Sequence, residues 1–362
     1  MLEPLPGPVK EMLKRGVAER VFPGGVLAIW HQEKIFLEAL GWQEFFPRPL
    51  KATPETLYDL ASLTKPLSTT LSIMRLLAEG KISLDNRLAD FFLVPHWFSS
   101  VTIRMLLAHC GGFPGYRPYF ARLITYPFER RLSILETWII KEPLAYPPGK
   151  KHIYSDLGFF LLGRMVEKVS QKSLETYFEE TISRLGISGS ELLFRPLKKK
   201  IPTARLAATE ACPWRGKLLK GEVHDENTWV IGGVSGQAGL FGTAEGVLKL
   251  LLILLRAYKG EEEKAFLSRS LLQEFWEWQS PSQATWALGF DRPSLKNSSA
   301  GERFSPRSLG HLGFTGPSFW LDPEKEIIVV FLTNRVHPRR EPNKLKAFRP
   351  ALHNLILKEL GF

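Results

Sequence analysis

Two hairpin patterns stand near opposite ends of the chain, and together they call for an antiparallel sheet assembled from both ends. Val26-Leu27-Ala28-Ile29-Trp30 and Ile35-Phe36-Leu37-Glu38-Ala39-Leu40 read as strands joined by a four-residue polar turn, His31 to Lys34. Gly310 to Asp322 and Glu326 to Asn334 read as a second pair around Pro323-Glu324-Lys325. Trp286-Ala287-Leu288-Gly289-Phe290 is expected to start the run of strands that returns the chain to the sheet. Between the hairpins, up to about residue 225, helical periodicity and loops prevail over strand alternation.

This gives a division into an α/β part built from 1–98 and 226–362, and a mostly helical lobe over 99–225. Helices are expected from Val9 to Arg20, ended by Phe22-Pro23-Gly24-Gly25, from Thr243 to Tyr258 with Thr243 as N-cap, and from about Asn343 to Leu360. Shorter helical pieces are expected at Leu84 to Leu88 and at Val101 to His109. At 362 residues the chain suffices for one large domain or two lobes.

The stretch Ser62-Leu63-Thr64-Lys65 opens one long amphipathic helix, with apolar residues at Leu67, Leu71, Met74 and Leu77 and a stop at Gly80. Residues three apart share a helix face, so the Lys65 amine can lie beside the Ser62 hydroxyl. First-turn N–H groups and the helix dipole make this end a place for an anionic oxygen. A lysine of ordinary pKa is neutral in only about one molecule in a few thousand at pH 7. Acting as a base therefore requires burial or neighbouring charge.

Tyr154 lies on a loop between the turn Tyr146-Pro147-Pro148-Gly149 and the apolar helix that begins at Leu157, so its phenol can reach a cleft. The alternative is a tyrosine packed on the lobe with its hydroxyl hydrogen-bonded. The glycine-rich run Gly232 to Gly242 matches neither G-x-S-x-G nor G-x-G-x-x-G after a strand, and reads as backbone that approaches a site closely. His224 and Asp225 read as a turn. No metal-ligand spacing is present, so no metal and no cofactor are expected.

The formal charge of +11 is spread along the chain, and its densest runs, Lys198-Lys199-Lys200 and Arg339-Arg340, are short. No nucleic-acid recognition motif accompanies it, so nucleic acid is not an expected partner. Cys110 and Cys212 permit at most one disulfide and read as buried free thiols. The first residues carry no apolar secretion segment and no run is long enough to span a bilayer. A soluble, cytoplasmic protein without a membrane partner is the expectation; no oligomer interface is identified.

Three fragments in order resemble the serine β-lactamase and penicillin-binding-protein superfamily, in its class C β-lactamase-like branch with esterases and D-peptidases. Ser62-x-x-Lys65 resembles the first motif, Tyr154-Ser155-Asp156 stands where Tyr-x-Asn is usual, and His311-Leu312-Gly313 stands at the Lys-Thr-Gly or His-x-Gly motif. The resemblance runs from about residue 20 to about 340, and implies an antiparallel sheet flanked by helices with an inserted helical lobe and the site between them. It implies that Ser62 attacks a carbonyl to give an acyl-enzyme, with Lys65 and Tyr154 sharing the role of base. It further implies an oxyanion hole from the backbone N–H groups of Ser62 and Phe314, the position after Gly313, and a His311 that helps orient the substrate or supplies positive charge when protonated.

The second motif ends in Asp156, which when ionised only accepts hydrogen bonds, whereas the asparagine of β-lactam-handling enzymes also donates. The third motif lacks the lysine that would grip a carboxylate. Both departures favour a serine hydrolase acting on a small-molecule ester or amide, or one that recognises an amine. A penicillin-binding protein or D-amino-acid peptidase acting on cell-wall peptides or β-lactams is the second reading. A non-catalytic binding protein is the third.

Overall fold

The computed structural model describes residues 2–262, 264–277 and 285–362. Its strands, in chain order, are β1 Leu2–Glu3, β2 Gly24–His31, β3 Lys34–Glu44, β4 Leu50–Lys51, β5 Tyr58–Asp59, β6 Leu192–Phe194, β7 Ala208–Cys212, β8 Lys217–Lys220, β9 Leu240–Gly242, β10 Leu309–Leu312, β11 Ser318–Asp322 and β12 Ile327–Thr333. The main sheet runs β1-β3-β2-β12-β11-β10, with β4 beside β3. The N-terminal and C-terminal hairpins meet along β2 and β12, where Ile29 pairs with Val329.

Both central strands are buried along their whole length, which their near-continuous apolar sequences permit. Alternation then assigns each residue to one face. Leu27, Ile29, Val329 and Phe331 pack in one cluster with Val9 and Leu13 of the helix Gly7–Ala18 and Leu352 and Ile356 of the helix Leu345–Glu359. Val26, Ala28, Ile328 and Val330 join a second cluster with Val247, Leu251 and Leu254 of the helix Ala244–Lys259. That helix is capped by Thr243, whose side chain accepts from Gly246 N. The second cluster continues through Leu67, Leu71, Phe159 and Leu162, so sheet and helical stretch share one apolar interior.

Four local expectations need correction. The first hairpin turn is two residues, not four: His31 pairs with Lys34, and Gln32 and Glu33 take φ of 49° and 61°. Positive φ at both loop residues matches the right-handed strand twist. The Ser62 helix changes pitch along its length, as a 3₁₀ turn Ala61–Leu63, a π-helical segment Lys65–Thr70 and an α-helix Leu71–Ala78. Pro66, lacking an N–H, stands where the pitch changes.

Within 99–225 the chain is helical at Ile103–Leu107, Phe120–Leu123, Phe128–Ile140, Asp156–Ser170 and Leu174–Arg184, then forms β6, β7 and β8. Strands of three to five residues are too short to show alternation, and β6 gains order by pairing with β9, which also pairs β5. Among the described residues Trp286 starts no run of strands: it bridges Asp291, which bridges Gly310, and Gly289 at φ 82° turns the backbone between Trp286 and Asp291.

Candidate active site

Ser62 sits on a turn held from both sides. Asp59, at the end of β5, accepts from Ala61 N through Oδ1 at 2.9 Å, and Ala61 takes a φ of 47°. Thr64 Oγ1 donates to Ala61 O at 2.6 Å and accepts from Leu240 N at 3.1 Å, tying the turn to β9. The other Asp59 oxygen accepts from His224 N at 2.6 Å, and Thr315 Oγ1 donates to the Asp59 carbonyl at 2.7 Å. One buried residue thereby joins the serine turn, the His224 segment and the loop after β10.

Lys65 is wholly buried, and its ammonium has three acceptors: Asp156 Oδ1 at 2.6 Å, Ser62 Oγ at 3.2 Å and Gln237 O at 3.2 Å. Burial pulls its pKa down, but Asp156 and Tyr154 outweigh burial and hold it above its ordinary value. Gln237 reaches Lys65 because Gly236 lies flat against the helix Asp156–Ser170, with Thr69 Oγ1 donating to Gly236 O at 2.7 Å. Sequence reasoning placed close backbone approach in this run without finding Gln237, whose contribution is a main-chain carbonyl.

Tyr154 presents its ring to the ammonium, with Lys65 Nζ 4.7 Å from the ring centroid. Its buried hydroxyl has no hydrogen bond of full geometry. Burial raises its pKa, and Lys65 opposes that rise. The ring packs on Trp286, His109 and His311 at centroid distances of 5.4, 4.8 and 5.8 Å. His109, another residue sequence reasoning missed, accepts from Ser155 N on Nδ1 at 3.1 Å, and so fixes the segment carrying Tyr154. Its only sequence signal was its place just before Gly111-Gly112.

Asp156 is the first residue of its helix, where a carboxylate suits the dipole, and its N–H donates to Gly115 O at 3.0 Å. Its carboxylate, 23% exposed, turns inward onto Lys65. Asp225 caps the helix Glu226–Val230 through Thr228 N at 2.7 Å, and burial together with Asp156 pushes its pKa up to about 6.

His311, on β10, has Nδ1 2.9 Å from Leu312 O, which can only accept, so Nδ1 carries the proton and Nε2 is a bare acceptor. Burial and then Lys65 push its pKa down to about 3. Of the two roles expected for His311, a neutral imidazole is suited to orienting a substrate and not to supplying charge. A Cβ at Gly313 would lie 2.7 Å from Leu60 O, so only glycine lets the end of β10 approach the serine turn this closely. Phe314 follows, half-exposed, 5.5 Å from the His224 ring and 4.9 Å from the Arg335 guanidinium carbon.

Of the seven residues singled out, Ser62, Tyr154 and Asp156 thus meet the Lys65 ammonium, His311 packs on the Tyr154 ring, and Gly313 and Phe314 lie on the loop bound to the serine turn. A serine oxygen beside a buried lysine, a phenol and a carboxylate is equipped for acyl transfer. Among the described residues, no three His, Cys, Asp or Glu side chains gather as a metal site would require. No helix among them is long and apolar enough to cross a membrane.

The family model described as Beta-lactamase matches residues 9–351. A protein of Escherichia coli (strain K12) named as a putative D-alanyl-D-alanine carboxypeptidase is 33% identical over 333 residues, covering 83% of this chain and 75% of that protein. Among solved structures, the octameric penicillin-binding protein homologue from Pyrococcus abyssi superposes with a TM-score of 0.74 at 22% identity, covering 97% of this chain and 77% of that one. EstCE1, described as a hydrolase with promiscuous acyltransferase activity, superposes with a TM-score of 0.70 at 21% identity, covering 94% and 97%. These two likenesses are of fold.

Proposed function

The chain belongs to the β-lactamase family and is a serine hydrolase, and from that premise we propose that it cleaves small-molecule esters or amides through an acyl-enzyme on Ser62. In this reading Lys65, with Tyr154 packed against its ammonium, takes the Ser62 proton and returns it to the leaving group, and later does the same for water. The backbone N–H groups of Ser62 and Phe314 receive the oxyanion. The cleft between the sheet of both chain ends and the helical stretch holds the substrate.

The observation that carries the substrate preference is the neutral His311, whose bare Nε2 stands where a lysine would present charge. An acceptor there suits a substrate bearing a hydroxyl or amide N–H and gives a carboxylate nothing to bind. The second reading, a D-amino-acid carboxypeptidase, is favoured by the name of the Escherichia coli relative. Intact mass after incubation with a short-chain p-nitrophenyl ester and, separately, with a penicillin tests both. Ester turnover abolished by Ser62→Ala, without a lasting penicillin adduct, is the expected result. A stable penicillin adduct on Ser62 favours the peptidase, and full activity of Ser62→Ala overturns both. We place the activity in the cytoplasm, a reading supported by two buried free thiols, Cys110 and Cys212, and checked by cell fractionation.

A further inference from the structure

The carboxylate of Asp156 and the hydroxyl of Ser62 both meet the Lys65 ammonium, and that placement bears on where the serine proton goes. All three N–H bonds of the Lys65 ammonium have acceptors, at Asp156 Oδ1, Ser62 Oγ and Gln237 O. An ammonium so bound has no lone pair to offer Ser62, and takes a proton only by giving one up. Of its three acceptors, a peptide carbonyl is a poor base and Ser62 is the donor. Asp156 remains, and its contact at 2.6 Å is the shortest of the three.

We infer that Asp156 is the proton partner of Lys65, receiving an ammonium proton as Lys65 receives the proton of Ser62. The inference rests on the serine-hydrolase reading above and assigns Asp156 a task other than gripping substrate. In acylation the Ser62 Oγ–H bond breaks as Oγ bonds the carbonyl carbon. That proton passes to Lys65 Nζ while one Nζ proton passes to Asp156 Oδ1. On collapse, Lys65 protonates the departing oxygen or nitrogen and regains its proton from Asp156. The net change is transfer of the serine proton to the leaving group, with the ion pair restored. Water repeats the cycle in deacylation.

The surrounding charges fit this exchange. Tyr154 meets Lys65 with the face of its ring, while its hydroxyl, made less acidic by burial, stays protonated and able to donate. His109 and His311, the imidazoles near Lys65, are both held neutral, by burial first and by Lys65 second. Asp225 faces Asp156 from the N-cap of the helix Glu226–Val230, and the two carboxylates interact closely enough that Asp156 helps raise the pKa of Asp225. Tyr116, on the loop that binds Asp156 N, is the remaining titratable neighbour, and it is held protonated.

The test is kcat/KM against pH for a p-nitrophenyl ester, in the native enzyme and in Asp156→Asn, which keeps the side chain's shape. In the native enzyme Lys65 acts as the ammonium paired with Asp156, so deprotonation of Lys65 does not set the acid limb. In the variant, Lys65 has to be neutral before it can act, so the limb should move to higher pH and activity at pH 7 should fall on the order of 100-fold. An unmoved limb, with activity equal or uniformly lower at every pH, overturns the inference. A proton inventory in H₂O/D₂O mixtures on the native enzyme needs no variant: two protons in flight give a bowed plot, and a linear plot overturns the inference. Ser62→Ala separates the two levels, since its activity would overturn the hydrolase reading itself.

Discussion

Phe159 and Gly236 meet backbone to backbone, so closely that a Cβ on Gly236 would lie 2.0 Å from the Phe159 carbonyl oxygen. The same contact carries Gln237 O to Lys65. Gly236→Ala has to push the two backbones apart, at a cost of about 1–3 kcal/mol, and the Gln237 carbonyl moves with them. Urea unfolding and ester turnover should both deteriorate, turnover at least about tenfold, since catalysis is sensitive to misplacement of around 1 Å. Gly189→Ala is the control, with nothing within 4 Å of its added carbon. Native behaviour of Gly236→Ala in both assays would show that the contact does not hold the site.

Tyr154 carries a buried hydroxyl that makes no hydrogen bond of full geometry, with Lys65 and Ser62 as its polar neighbours. When it is removed, the Lys65 ammonium keeps acceptors at Asp156, Ser62 and Gln237. Tyr154→Phe should unfold at the native urea concentration or slightly above it. Its ester turnover should fall by roughly 10²–10⁴ if the hydroxyl serves as a proton donor or acceptor. Equal loss of stability and activity would mark Tyr154 as a packing residue instead.

Much of this arrangement was legible because it is local or periodic. Ser62 and Lys65 are three residues apart, and one helical turn brings them together whatever its pitch. The β2–β3 pair showed in its apolar runs, and Thr243 in the position of a cap. What stayed hidden depends on distance along the chain or on main-chain atoms. The Asp156 carboxylate meets an ammonium 91 residues away, a pairing that nothing in its local sequence announces. Gln237 acts through its carbonyl, which no residue type announces. The neutrality of His311 follows from burial beside Lys65, a consequence of packing that its motif does not encode.

Asp59 joins three segments, and the two N–H groups on its carboxylate have no water to turn to once it is gone. Leaving a buried donor unpaired costs about 1–3 kcal/mol, so Asp59→Ala should lose on the order of 2–6 kcal/mol. Asp59→Asn should fall between, because its one oxygen serves one donor and its NH₂ faces the other. Urea midpoints give the stabilities. The rate of labelling by a phosphonate probe gives the reactivity of Ser62, which should drop in the order native, Asn, Ala. Labelling at the native rate in both variants would show that the Ser62 turn holds without Asp59.

His353, on the helix Leu345–Glu359, offers a clean view of how pH acts on stability. It is buried, its Nδ1 lies 3.0 Å from Ser299 O, and burial with Arg349 pushes its pKa down to about 3. Below about pH 6.5 the unfolded chain protonates this histidine and the folded chain does not, so acidification favours unfolding. Each unit below that point costs about 1.4 kcal/mol. Asp225 and Asp291, both raised to about 6, work the other way: the folded state takes their protons first, so acidification through that range favours folding. Total stability against pH therefore mixes opposing slopes, and only a difference isolates one group. Between pH 7.5 and pH 5 the native protein should lose about 2 kcal/mol relative to His353→Asn in urea unfolding. Parallel stability curves would mean that His353 takes up its proton equally in folded and unfolded chains, contrary to its burial.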